Sequence, residues 1–318
     1  MARTPLSEGT IKMLRCPACL SRLDFSEARA QCASCRKAFP VLDGIPVLIN
    51  DSESIFSIKE IVQSRNAVQE RKKSGIKGFI SGSIPDMAIN MAENNSVEFV
   101  RLVQERESHP RILIIGGGTF GAGVKKIVQM PGVEFIESDV YFGPRTNLIC
   151  DCHSIPLRNE SVDGVIIQAV LEHVVDPYRC AEEIYRTLKK GGLVYADTPF
   201  MQQTHGGRHD FTRFTYLGHR RLFRKFEEIR SGITSGPAGS LAWSTNYFFA
   251  SFFRSRFFSA MAHAASSFAF FWLKYFDYML MDKPESHKAA CGFFFIGAKS
   301  EKTLSDRELV KLYKNLRF

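Results

Sequence analysis

Four cysteines, Cys16, Cys19, Cys32 and Cys35, stand as two CxxC pairs with twelve residues between them. Two tight turns that each offer two thiolates can close tetrahedrally on one Zn²⁺, and four thiolates leave no open ligand position, so the zinc expected here is structural. Such a site contributes apparent free energy on the order of 10 kcal/mol, enough to fold a ribbon too small to hold a core. A second set of residues is built for cofactor chemistry. Gly116, Gly118 and Gly121 spell GxGxxG directly after the apolar run Ile112 to Ile115. Glycine there lets the backbone turn sharply and approach a ligand, with helix N-terminal amides facing an anionic group. Taken alone, that pattern suits NAD equally. Asp139, 21 residues beyond Gly118 and at the end of a second apolar run, is placed to bind a ribose hydroxyl pair. A third set is His205, Arg208, His209, Asp210 and Arg213, which read as an acid–base and substrate-orienting cluster with His205, His209 and Asp210 as the candidate catalytic groups. The competing reading is a loop that caps a helix starting near Thr215, with Asp210 paired to Arg213.

The elements that must position these groups follow from the pattern around them. Phe39 to Ile49 alternates apolar residues about Asp43-Gly44, which predicts a hairpin completing the ribbon. Residues 51–110 read as connecting helices, with a capping box at Ser57 and Glu60 and an apolar stripe at Val97, Val100, Leu102 and Val103. The basic cluster Arg71-Lys72-Lys73 with Lys77 reads as a solvated face. Further on, Asp176 and Pro177 start a helix whose stripe is Ala181, Ile184, Tyr185 and Leu188, and Lys189-Lys190-Gly191-Gly192 is expected to end it. Strand and helix alternation to this point implies a parallel sheet with the ligand at the carboxyl ends of its strands. Residues 243–278 hold both Trp, ten Phe and three Tyr, with Phe248, Phe249, Phe252, Phe253 and Phe257 expected on one helix face. The uncharged run 257–273 is short for a membrane span, which leaves a lid over the site or an amphipathic element at a membrane surface.

Two resemblances sharpen this reading. From Leu14 to Ile49, including Gly44-Ile45-Pro46-Val47-Leu48, the chain resembles the small zinc-ribbon family whose members activate tRNA and protein methyltransferases. Over residues 110–200 the order Asp151 to Leu157, Ser161 to Ile167, Leu171-Glu172-His173-Val174 and Leu188 to Leu193 resembles class I S-adenosylmethionine (SAM) dependent methyltransferases of the type 11 group. That resemblance implies an α/β fold with a Rossmann-like seven-stranded sheet and SAM as cofactor. It would put Gly116 and Gly118, with Gly121, on the amino-acid end of SAM, Asp139 on the ribose, and Asp151 with Cys152 at the adenine edge. The chain departs from the pattern at Ile114, where the family usually carries an acidic residue. The string His209 to Thr215 is similar to one in methyltransferases encoded among glycan-assembly genes.

The expected organisation is a zinc ribbon over 1–50, a helical linker over 51–110, a SAM-binding core over 111–240, an aromatic helical insertion over 241–285, and a last strand with a tail over 286–318. An excess of 42 Lys and Arg over 33 Asp and Glu gives a net charge of +9, which permits anionic partners without choosing among them. Residues 1–30 contain no apolar run of signal-peptide length, and thiolate-ligand spacing suits a reducing compartment, so a cytoplasmic protein is expected, peripheral at the inner membrane surface if the aromatic segment docks there. The function expected is methyl transfer from SAM to a hydroxyl of a small acceptor, a sugar or a lipid-linked one. The rivals are an RNA methyltransferase using the ribbon to bind substrate, a non-catalytic SAM-fold interaction protein and, least, an NAD(P) oxidoreductase. Nothing in the sequence sets the oligomeric state.

Overall fold

The computed structural model describes residues 4–71, 91–118, 121 and 123–313, with the side chains of 66–71 left out. The lysines of the basic cluster at 71–77 therefore lie outside the described residues.

The chain opens with α1 (Glu8–Met13), whose first turn is capped by Ser7. Four short antiparallel strands follow, β1 (Leu23–Phe25), β2 (Arg29–Cys32), β3 (Ala38–Leu42) and β4 (Ile45–Leu48). Asp43 and Gly44 both take positive φ, 49° and 73°, the backbone that a two-residue hairpin needs to match strand twist. The ribbon does not stand apart. Val47 and Leu48 of β4 pair in parallel with Ile149 and Cys150 of β7 (Leu148–Cys150), so the expected seven-stranded sheet is one continuous sheet of eleven strands.

After α2 (Ile58–Arg71) and α3 (Ala92–Gln104) come the parallel strands β5 (Arg111–Ile115), β6 (Glu134–Asp139), β7, β8 (Val162–Gln168) and β9 (Leu188–Pro199), with the short α4 (Val124–Ile127) after β5. The order from the ribbon outward is β1-β2-β3-β4-β7-β6-β5-β8-β9-β11-β10, where β10 (Phe226–Ser235) and β11 (Gly292–Lys299) close the far edge antiparallel to each other. The central strands are buried on both faces. Ile112 and Ile114 of β5 pack with Phe99, Val100 and Val103 of α3, while Leu113 and Ile115 face the layer that contains Cys180, Ala181 and Ile184 of α5 (Pro177–Thr187). A near-continuous apolar run is what a parallel strand covered on both sides requires.

Helix α5 is capped by Asp176, which accepts the Arg179 amide at 3.0 Å, and has Pro177 in its first turn. It ends at Thr187, earlier than the Lys189–Gly192 stop read from the sequence, because Leu188 is already extended and paired with Val162. Gly191 keeps the positive φ of a turn residue, 71°, but inside the β9 span. The aromatic segment also differs from expectation. Helix α6 (Tyr216–Leu222) precedes β10, and between β10 and β11 lies the insertion, made of α7 (Pro237–Ala250), α8 (Arg256–Phe270), a 3₁₀ turn (Phe271–Phe276), α9 (Asp277–Leu280) and α10 (Ser286–Ala289). Phe248 and Phe249 sit on α7, Phe252 and Phe253 in the break, and Phe257 on α8, so the five rings share no single helix. Asp277, 1% exposed, folds the insertion back on itself by accepting the Ala238 and Gly239 amides at 2.8 and 3.0 Å, which satisfies the start of α7. Helix α11 (Asp306–Lys311) ends the described chain.

Phe99 of α3 is fully buried and seals the face opposite α5. Phe99→Ala is expected to cost about 3–5 kcal/mol of stability, read as a lower urea midpoint with an unchanged slope.

Candidate functional site

The cysteine centre is assembled by two equivalent knuckles. Leu20 and Arg36, each immediately after the second Cys of a pair, take positive φ, 57° and 63°, and so turn the chain back under its own thiols. The Sγ atoms of Cys16 and Cys35 lie 3.6 Å apart, those of Cys19 and Cys32 3.5 Å, and all four sit within 4.8 Å of one another. Thiolates at about 2.3 Å from a tetrahedral Zn²⁺ would be about 3.8 Å apart, so the four donors fit that ion.

The cofactor cleft opens at the carboxyl ends of β5 to β8 and has a volume of about 420 Å³, within the usual range for small-molecule sites. Gly116 has φ 78°, and a Cβ there would stand 2.4 Å from a Val170 methyl, so only glycine takes this turn unstrained. Gly118 donates its amide to Asp139 Oδ2 at 3.0 Å, and a Cβ on it would meet the same oxygen at 2.6 Å. Asp139 also accepts the Tyr141 amide at 3.1 Å. Burial raises the Asp139 pKa, and the amides pull against that shift. Gly121 lines the cleft, and Asp139 faces it, whereas Glu137 is buried against Arg145 and does not. Gly116 and Gly121 line the cleft beside Asp139 at the second strand's end, a cradle that fits the amino-acid and ribose parts of SAM, while Gly118 is buried and bonds Asp139 from behind.

Asp151 and Cys152 also border the cleft, but their polar atoms are engaged elsewhere. Asp151 accepts from Ser54 Oγ at 2.5 Å and from the His153 ring and amide at 2.6 and 3.0 Å, which hold its pKa down against burial. Cys152 Sγ lies 2.8 Å from Cys180 Sγ of α5. Ile114 is buried among α3 side chains, so the first strand brings no carboxylate to the cofactor. Phe56 and Tyr141, which the sequence reading did not single out, form an edge-to-face pair at 5.8 Å on the cleft wall. Tyr141, two residues past Asp139, was within reach of a sequence argument; Phe56 comes from the segment after the ribbon and only the fold brings it in.

The His-rich loop divides its roles. His209 lines the cleft, with its ring 5.4 Å from Phe56. Asp210 is a hub: it accepts from the Arg213 guanidinium and from the His205 amide at 2.7 Å, and Arg213 holds its carboxyl far below the usual range. His205 Nε2 lies 3.7 Å and His173 Nε2 3.8 Å from Glu172 Oε1. Glu172 is fully buried with no hydrogen-bond partner on either oxygen, and its proximity raises the His205 pKa.

A second cavity of about 380 Å³ adjoins the cleft and shares Gly121, Gln168 and Ala169 with it. Ala169, at the dividing wall, takes φ 50°, a strained position for a residue with a Cβ. The cavity is lined by Asp197, Thr198, Thr234, Trp243 and Lys274. Asp197 accepts from Thr234 Oγ1 at 3.0 Å, and burial, with the charge of Glu172 adding, pushes its pKa up to about 7. Thr198 Oγ1 is buried without a hydrogen-bond partner. Asp197 lies outside the 205–213 cluster expected to do acid–base work; the signal the sequence carries for it is a lone carboxylate near the carboxyl end of the fifth parallel strand.

Because β4 is hydrogen-bonded to β7 and leads to Ser54 and Phe56, the metal centre supports the cleft through the chain. Cys32→Ser, or stripping with a strong chelator, is expected to lower the melting temperature by at least about 5 °C and to weaken binding of S-adenosylhomocysteine in calorimetry. An unchanged cofactor affinity in zinc-free protein would show the two parts to be independent.

Residues 132–196 match the family described as a methyltransferase domain. A 38-residue stretch is 55% identical to the UPF0434 protein Bpet2671 of Bordetella petrii, covering 11% of this chain and 62% of that protein. This chain thus spans less than two thirds of that relative's length. Among solved structures it is similar to phosphoethanolamine N-methyltransferase 2 of Haemonchus contortus, with 15% identity, TM-score 0.42, and coverage of 65% of this chain and 53% of that one. It is also similar to a SAM-dependent methyltransferase from Archaeoglobus fulgidus, with 13% identity, TM-score 0.39, and coverage of 65% and 94%. With four cysteines that fit zinc and a glycine turn and Asp139 that fit SAM, the chain carries a stretch similar to methyltransferase domains over residues 132–196, behind an N-terminal four-cysteine ribbon.

Proposed function

We propose that this protein transfers the methyl group of SAM to a hydroxyl of a small acceptor, a sugar or a lipid-linked sugar, held in the cavity beside the cofactor cleft. SAM, when bound, supplies a methyl already activated on a sulfonium. The chain's own residues then have two tasks, to align the acceptor oxygen and to take its proton. Gly116, Gly118 and Asp139 would hold the cofactor, and His209 would border it. His205 and Asp210 would keep the loop over the cleft, His205 through Glu172 and Asp210 through Arg213.

The observation that carries the reading is Asp197. It is a carboxyl with a pKa near 7 on the wall of the second cavity, oriented by Thr234, and so matched to accept a proton near neutral pH. The unpartnered Thr198 hydroxyl offers the acceptor a hydrogen bond in the same cavity. An uncharged, hydroxyl-rich acceptor suits these groups.

Asp197→Asn is expected to lower kcat by about 10²–10⁴-fold while leaving S-adenosylhomocysteine affinity unchanged, measured with labelled SAM and a glycolipid extract as acceptor mixture. The base must be ionised to work. Transfer by the parent protein should therefore rise as pH increases through about 7, and that step should vanish in the variant. Gly118→Ala should act on the other cavity, weakening S-adenosylhomocysteine by about ten-fold or more as its methyl displaces Asp139. Cofactor binding with transfer to RNA and none to hydroxyl acceptors would overturn the acceptor assignment; binding with no transfer at all would favour an interaction protein.

A further inference from the structure

The insertion between β10 and β11 exposes more apolar surface than its packing explains. Phe252, Phe257 and Phe268 are 71%, 67% and 71% exposed, and Phe248, Phe258, Met261, Trp272 and Tyr278 add to the same surface. Single exposed apolar residues are ordinary, but a contiguous field of aromatic rings marks a contact site. Between α7 and α8 runs an apolar groove of about 550 Å³, lined by Phe249, Phe252, Phe253, Ala262, Ala265 and Phe270. Over α7, α8 and the 3₁₀ turn, residues 237–276, the charged residues are Arg254, Arg256 and Lys274, with no Asp or Glu; the acids of the insertion, Asp277, Asp282 and Glu285, come after them. Among the described residues no helix is long and apolar enough to cross a membrane.

We propose that the α7–α8 hairpin docks in the plane of an anionic phospholipid surface, with its phenylalanines among the acyl chains, its groove around one chain, and Arg254 and Arg256 against the headgroup phosphates. Aromatic rings on one side with cations at the rim are the pattern of a helix that lies in an interface rather than crossing it. The hairpin also joins the docking surface to the reaction site. Trp243 of α7 lines the cavity that holds Asp197, and Phe249, six residues or about 9 Å further along the same helix, lines the groove. An acceptor drawn from the bilayer would place its polar head in the cavity and its hydrocarbon chain along α7. Resting on the acceptor-cavity reading above, this makes the acceptor class an amphiphile; the docking itself does not depend on that reading.

The test is co-sedimentation of the full-length protein with phosphatidylcholine vesicles, with and without phosphatidylglycerol. Binding is expected to phosphatidylglycerol vesicles, to fall with added salt, and to be weak on phosphatidylcholine alone. Phe252→Ser/Phe257→Ser/Phe268→Ser should weaken it by about ten-fold or more, and Arg254→Glu/Arg256→Glu should remove the preference for the anionic lipid. S-adenosylhomocysteine titration of both variants shows that they are folded and keeps the two readings apart. Vesicle binding without cofactor binding would overturn the methyltransferase reading alone, and the reverse would overturn docking alone. No binding by the parent protein, or a concentration-dependent dimer abolished by the same Phe substitutions, would show that a bilayer is not what covers this face.

Discussion

The junction between β4 and β7 is the contact on which the rest of the architecture leans. A parallel sheet buried on both faces cannot leave its outer strand bare without exposing backbone donors and acceptors. Here that edge is closed by two residues, Val47 and Leu48, that come from the ribbon. The buried ribbon residues Leu14, Leu23, Ala30 and Phe39 share one core with the sheet, and four cysteines at metal-ligand distances set the ribbon's two knuckles. Metal centre, hairpin, sheet edge and cleft therefore form a mechanical series. Directly after β4 the chain reaches Ser54, which bonds Asp151, and Phe56, which lines the cleft. The ribbon is built into the sheet and, through the segment that follows it, fixes Phe56 in the cleft wall.

Four buried or part-buried carboxylates surround the two cavities, and each is held differently. Asp139 is met by backbone amides, Asp151 by His153 and Ser54, and Glu172 only by two imidazoles beyond hydrogen-bond distance. Asp197 has a threonine hydroxyl and a tyrosine near its limit of reach. Desolvation raises a carboxyl pKa unless donors to the charged form outweigh it. Asp151 has enough donors and stays acidic, whereas Asp197 does not and lies near neutrality. That contrast, set by partners a few ångströms away, separates a carboxylate that braces a loop from one able to exchange a proton.

The aromatic insertion obeys a different rule. Its base is tied down by Asp277 at the start of α7, while its outer rings stay in water. Its outer rings point away from the protein, while Trp243 and Lys274 line the second cavity.

Much of the site could be read directly from residue types and spacing. Two CxxC pairs imply a thiolate centre wherever the chain folds, because ligand number and turn length are local properties. The glycines at 116 and 118 and the acid at 139 are legible for a similar reason: strand, turn and strand follow one another without a break, and the register is short-range. Asp43-Gly44 and Asp176-Pro177 likewise announce their turn and cap. The sequence offered the Asp210–Arg213 pair only as the competing reading of that loop, and it did not show that Phe56 would cross from the ribbon side to the cleft or that Asp197 and not a histidine would stand in the second cavity. Nor did it show the helix break that scatters the five phenylalanines, or the fusion of ribbon and core into one sheet. These are decided by which groups meet across long stretches of chain and by how much water is left around them. Burial, strand pairing over a hundred residues apart and the competition of donors for one carboxylate exist only once the tertiary structure has formed.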